Sequence, residues 1–442
     1  MNPGRWRPCC LAFDSFPVNE YHPIVPTESP LEITAKADAV RKAASAVIPA
    51  WGGRCDLNQG PQAVSLPVLA KGKGAVVTDV DGREYIDFDC GNGTLLLGHA
   101  DERIVVAINK AAAKGADLGF PSEAHVRLAE MLASRLPGTG WVWLLNSPAW
   151  AVLVGVDLAR RLTDRTAVLV FDGWEGQGLA GLATGGSGKD LYSCAFNRIA
   201  AVRQVFKRHP GRIAGVVVEP VALGRGLVVP DEGFLVALRD LCDKHESLLV
   251  FDERRTGLSV GLGGAAGVIG VEPDLTLLGC GLGASLPLAA IGGRRKLLKT
   301  NFPANPLLTV ESSAHALSLA AGLAVLHASG EEGFYESLTS LARELSEGLE
   351  RVAAEVGVPV RTVSFGNLVG LSFVSDPGQR TSDVTRSDAC RHADFHRAML
   401  ERGILLPAPP APWFVSAAHQ KDHCDQAMQS AGEALRIAVG AA

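Results

Sequence analysis

Residues 247–281 read SLLVFDERRTGLSVGLGGAAGVIGVEPDLTLLGCG, and this stretch limits the possible folds more than any other. It opens on an apolar run, Leu248 to Phe251, that predicts a buried strand ending on two acids, Asp252 and Glu253. A glycine-rich loop follows, and a second apolar run, Leu275 to Leu278, leads through Gly279 to Cys280. Strand, acid, loop, strand and one reactive side chain are the ingredients of a site at the carboxyl ends of parallel strands.

The rest of the chain agrees with an α/β reading. Lys73 to Asp89 alternates about an Asp81-Gly82 turn and predicts a hairpin. His99, in Gly98-His99-Ala100, is taken as a turn histidine. Helical spacing marks 31–48, 101–114, 122–136 and 234–245, with another helix starting at Pro148, where a missing N–H does no harm. Short apolar runs at 141–145, 166–171 and 213–218 predict buried strands between them, so a mostly parallel, doubly wound sheet is expected. Beyond Glu331 come a long helix at 333–356, a strand at 369–374, a helix end at 395–403 and a strand at 415–418, which suit a smaller C-terminal α+β domain. The expected division is a loose tail at 1–30, an N-terminal segment with the hairpin at 31–110, a large α/β domain at 111–325 and a small domain at 326–442.

A length of 442 residues exceeds what one core usually spans. The net charge of −5 argues against a nucleic-acid partner. No apolar window has the length of a membrane span, and the amino terminus lacks the apolar core of a signal peptide. Nine cysteines without paired spacing suit a reducing cytoplasm, with Cys9-Cys10 read as part of a disordered tail.

The hairpin, the Gly98-His99 pair, the Asp252-Glu253 strand end and the segment 405–419 resemble the class III pyridoxal-phosphate aminotransferases, over roughly residue 31 to the end. The resemblance implies a fold-type-I scaffold and a homodimer whose active sites are shared between subunits. It also implies that Asp252 stands where the family's aspartate holds the cofactor's pyridine nitrogen. Cys280 stands at the position of the lysine that forms the Schiff base.

Against that pattern, the cofactor contacts read as altered. The family's phosphate-binding NSGTEA is Asn146-Ser147-Pro148-Ala149-Trp150-Ala151 here, without the glycine and the hydroxyl, and Ser147 reads better as a helix cap. After Phe171-Asp172-Gly173, Trp174 and Glu175 fall at the family's ring-stacking Tyr-His pair. Arg254 replaces the valine on the other ring face, and Val310-Glu311 replaces a phosphate-binding Gly-Thr pair. A thiol cannot supply the amine that shuttles a proton in transamination. Lys189, Lys296 and Lys299 are the lysines that could stand in for it, and none is expected to rescue the cofactor.

The resulting expectation is an aminotransferase- or aminomutase-like protein whose pyridoxal-phosphate site is dismantled, with no cofactor expected. It would be a repurposed enzyme acting on a small carboxylate-bearing metabolite. Asp252, Cys280, Glu175 and Glu311 are the candidate catalytic residues, and Arg254, Ser147, Trp150, Trp174 and Glu219 the candidate substrate contacts. Arg254 is expected to take the volume of the family's cofactor ring or to salt-bridge Asp252, and in the repurposed-enzyme reading it could clamp a substrate carboxylate. The alternatives are a non-catalytic homologue acting as a binding or partner subunit, and a residual pyridoxal-phosphate enzyme. The spacings Cys390-Arg391-His392 with His396, and His419 with His423-Cys424, are ligand-like, but they are read as surface and packing residues, and no metal is expected.

Overall fold

The computed structural model describes residues 35–48, 66–116, 119–183, 190–224, 226–299, 314–374, 386–409 and 411–440. The tail expected at 1–30 lies outside these residues. Strands β1 (Leu69–Lys73), β2 (Val76–Asp79) and β3 (Glu84–Asp87) form the antiparallel hairpin sheet predicted by the Asp81-Gly82 turn. His99 sits in a bridge with Gly74, and its Nε2 lies 2.6 Å from Asp87 Oδ2.

The central sheet contains β4 (Trp141–Leu145), β5 (Ala167–Phe171), β6 (Leu191–Cys194), β7 (Ile213–Val218), β8 (Leu248–Glu253), β9 (Leu275–Leu278) and β10 (Ala289–Gly293). Their order is β4-β10-β9-β8-β7-β5-β6. Parallel pairing runs from β6 through β9, whereas β10 is antiparallel to both of its neighbours. β5, β7, β8 and β9 are buried along their whole length, as befits strands covered on both faces by helices. The helix Pro148–Thr163 lies close on this sheet: a Cβ on its Gly155 would fall 2.5 Å from Leu277 Cδ2.

The remaining strands are β11 (Val360–Phe365), β12 (Leu368–Phe373), β13 (Ile404–Leu405) and β14 (Trp413–Phe414). β11, β12 and β14 make a small sheet, while β13 pairs in parallel with β3 and so ties the C-terminal segment to the hairpin sheet. The strand expected at 415–418 is instead a turn after β14. Ser416 N donates to His419 Nδ1 and His419 N to the Ser416 carbonyl, which steers the chain into the helix Lys421–Ala438.

Glu253 ties this end of the sheet to the loop that follows it. It is fully buried and accepts the N–H groups of Ala265 and Ala266 at 2.6 and 3.0 Å, closing the glycine loop onto the start of the helix Gly264–Ile269. Burial pushes its carboxyl up to about 7, although these N–H donors oppose that rise. Glu253→Ala strands two buried N–H groups, so a loss of about 3 kcal/mol in urea unfolding is expected. A loss below about 1 kcal/mol would mean that the loop closes without it.

Candidate active site

The register of the parallel strands brings the chemistry-bearing ends together. Val218 pairs with Phe251, Asp252 with Leu277 and Glu253 with Leu278, so Glu219, Asp252 and Cys280 all emerge at the same edge of the sheet. The predicted convergence of Asp252 and Cys280 is therefore present.

Asp252 is the centre of the arrangement. Arg254 holds it in a two-pronged ion pair, Nε to Oδ1 and Nη2 to Oδ2, each at 2.8 Å. The indole Nε1 of buried Trp174 donates to Oδ2 at 2.6 Å, and the Arg254 backbone N–H reaches Oδ1 at 3.2 Å. Burial alone would raise the Asp252 pKa, but the Arg254 charge and these donors hold it below the usual carboxylate value. Of the readings the sequence left open for Arg254, the salt bridge to Asp252 is the one present.

Cys280 opens a short 3₁₀ turn directly after β9. Burial raises its thiol pKa, and the nearby Arg255 and Arg254 only partly counter that. The group is a thiol at neutral pH, and no described histidine bonds to it. Iodoacetamide is expected to label the exposed Cys390 well before Cys280, whose rate should rise only above its raised pKa. Equal rates at pH 7, read by peptide mass spectrometry, would mark Cys280 as an activated nucleophile.

The start of the helix Pro148–Thr163 abuts this turn. An added Cβ on Gly279 would lie 2.8 Å from Pro148 Cβ and 3.3 Å from Arg254 Cβ, so Gly279 is the residue that lets the two approach. Ser147 caps the helix, accepting from Ala149 N at 3.2 Å, as its sequence position predicts. Trp150 is half-buried and packs against the apolar cluster that includes Val154 and Leu277.

Glu175 bonds to Arg255 Nη1 at 2.9 Å, and Arg255 Nη2 reaches Asn92 Oδ1 at 2.6 Å. Arg255, which also lies over the Phe414 ring, was not among the predicted site residues. The Arg254-Arg255 doublet was visible in the sequence, but nothing local tells which arginine faces which acid. Glu219 is 9% exposed and accepts no hydrogen bond from a described residue. Burial, then the charge of Asp252, raises its pKa to about 8, although the nearby Arg255 and Arg254 charges oppose that rise.

Glu311 and Lys189 lie outside the described residues. Lys296 is 3.5 Å from Asp274, just before β9 and so at the opposite edge of the sheet from Cys280. His396 donates to the Leu406 carbonyl, and His419 and His423 accept backbone N–H groups at turns. Among the described residues no three of His, Cys, Asp or Glu gather as a metal site. Among them, too, no helix is long and apolar enough to cross a membrane.

This parallel sheet, with its acid and its adjoining loop at the carboxyl edge, defines a fold-type-I aminotransferase scaffold. The class III aminotransferase profile matches residues 59–435, and the chain belongs to that family. It is 39% identical over 394 residues to a glutamate-1-semialdehyde 2,1-aminomutase of Roseiflexus castenholzii, covering 85% of this chain and 91% of that one. It is 38% identical over 390 residues to the protein of the same name from Thermomicrobium roseum, covering 84% and 91%. Among solved structures, an omega-transaminase from Sphaerobacter thermophilus superposes with a TM-score of 0.81 at 26% identity, covering 93% of this chain and 99% of that one. A transaminase with PLP bound superposes at 0.79, also at 26% identity, covering 92% and 99%.

These relatives overturn the expectation that no cofactor belongs here: pyridoxal phosphate is the group that goes with this family. Both carboxylate oxygens of Asp252 already receive N–H donors, and residue 280 offers a thiol.

Proposed function

We propose that this protein is a non-transaminating member of the class III aminotransferase family, a homologue that keeps the scaffold and acts as a binding or partner subunit. The observation that carries this reading is the closed Asp252–Arg254–Trp174 cluster. An aspartate free to meet a pyridine nitrogen is the family's requirement as the resemblance gives it, and here a guanidinium and an indole occupy that aspartate. The resemblance assigns Cys280 to the position of the Schiff-base lysine, which adds the second missing part.

The same cluster weighs against a repurposed enzyme built on Arg254 and Cys280. Such an enzyme needs a free guanidinium or a thiolate, whereas Arg254 is paired and burial keeps the thiol protonated. Homodimerisation is part of the proposal, because the family builds each site from two subunits.

The test is spectroscopic. Purified protein is mixed with pyridoxal phosphate and a series of amino donors, and the cofactor absorbance is followed. The proposal expects no donor-dependent shift beyond that of free cofactor. A shift that saturates with protein and turns over an amino donor would sink it.

A further inference from the structure

Beside the closed cluster, with Trp174 in its wall, the carboxyl ends of β5 and β7 border a cavity of about 150 Å³. Its walls include Phe171, Trp174 and Phe196, Glu219 lines it, and Asp172 and Arg198 are exposed members of its lining. By volume it holds roughly ten water-sized groups.

Glu219 is the feature that asks for a ligand. The neighbouring charges are matched with one another, Arg254 with Asp252 at 2.8 Å and Arg255 with Glu175 at 2.9 Å. Glu219 is left as a buried acid with no ion-pair or hydrogen-bond partner among the described residues. A buried unpaired carboxyl is costly and is normally matched by a donor or a cation. Asp172, whose carboxylate accepts the Ser193 hydroxyl, adds a second acid to the lining. Acid with aromatic walls favours a planar cation: a guanidinium presents parallel N–H donors to a carboxylate and stacks on aromatic faces. Arg198 has no ion-pair partner among the described residues, and its exposure places it where an anionic tail would meet it.

We propose that this cavity is a binding site for a small guanidinium-bearing metabolite, with the guanidinium on Glu219 and a carboxylate tail toward Arg198. The cavity shares Trp174 with the Asp252 cluster, and its Glu219 lies at the same sheet edge as Cys280, so the proposal rests on the binding-subunit reading above and names its ligand class. Binding displaces the proton that burial keeps on Glu219, which passes to the buffer.

The full-length protein is titrated calorimetrically with guanidinoacetate, methylguanidine, methylammonium and urea, in buffers of different ionisation enthalpy. Guanidinoacetate is expected to bind, methylguanidine several-fold more weakly, and neutral urea not at all, with about one proton released per guanidinium bound. Glu219→Gln should weaken guanidinoacetate at least tenfold, and Arg198→Ala should bring it down to methylguanidine. Should Glu219→Gln fail to fold, Ala195→Trp, at an exposed lining position, should block the cavity instead. No binding of either guanidine at millimolar concentration overturns the proposal. So does methylammonium binding as tightly as methylguanidine, or affinity unchanged in both Glu219→Gln and Ala195→Trp.

Discussion

Cys280→Lys combined with Arg254→Val is expected to give covalent, borohydride-fixable attachment of pyridoxal phosphate at residue 280, an attachment the thiol now there cannot make. The pair of changes supplies an amine and frees the Asp252 oxygens that Arg254 holds at 2.8 Å. Cys280→Lys alone should label poorly. Arg254 and Arg255 both act on this position, so the new ammonium would sit beside two guanidiniums while Asp252 stayed closed. Restoring a positioned acid–base group is worth about 10²–10⁴-fold in rate, so any amino-donor turnover should appear in the double variant on that scale. Peptide mass spectrometry after reduction reads the site of attachment. Label on a native lysine of the unaltered protein, with turnover, would return the chain to the chemistry its relatives are named for.

Arg254→Ala on its own should be the most damaging single change in stability, at about 3–5 kcal/mol. The Asp252 side chain is 2% exposed, and truncating Arg254 leaves that charge with little besides the Trp174 indole and a backbone N–H. Asp252→Asn in the Arg254→Ala background should recover part of the loss, because a neutral amide needs no counter-ion. Acidity gives a second reading. Asp252 has a folded pKa below its unfolded one, so the stability from this pair is present above the ordinary carboxylate value and lost as pH falls through the lowered one. Glu219 works in the opposite sense: its raised pKa makes its contribution greatest in acid and diminishes it as pH rises. The deficit of Arg254→Ala in urea unfolding should therefore shrink on acidification, as the unpaired Asp252 takes a proton. A loss below about 1 kcal/mol at pH 7 would mean that water already reaches the carboxylate.

These two outcomes bear on each other. If Arg254→Val in the double variant is strongly destabilising, attachment at residue 280 should be measured below the melting temperature of that variant. The stability and cofactor readouts then remain separate.

Much of the scaffold was legible because its signals are local. Apolar runs of four to six residues set β7, β8 and β9, and Pro148 after Ser147 set a helix start. The strand expected at 415–418 is a turn, since the deciding contact is a histidine ring folding back on Ser416, which alternation of side chains does not encode. Arg255 was passed over for a similar reason: it meets Glu175 and Asn92, which are 80 and 163 residues away.

The sequence by itself determined the class III scaffold, the position of Asp252 at a strand end, and the presence of a thiol at residue 280. Each follows from short-range pattern or from the identity of one side chain. Only the tertiary structure decided which of the two arginines pairs with Asp252 and which with Glu175, that Trp174 closes over Asp252, and that Glu219 is buried without an ion-pair or hydrogen-bond partner among the described residues. The physical reason is that charge pairing in a desolvated site depends on which side chains the sheet order brings within hydrogen-bond reach. The strand order β9-β8-β7-β5 places side by side residues that the chain keeps far apart.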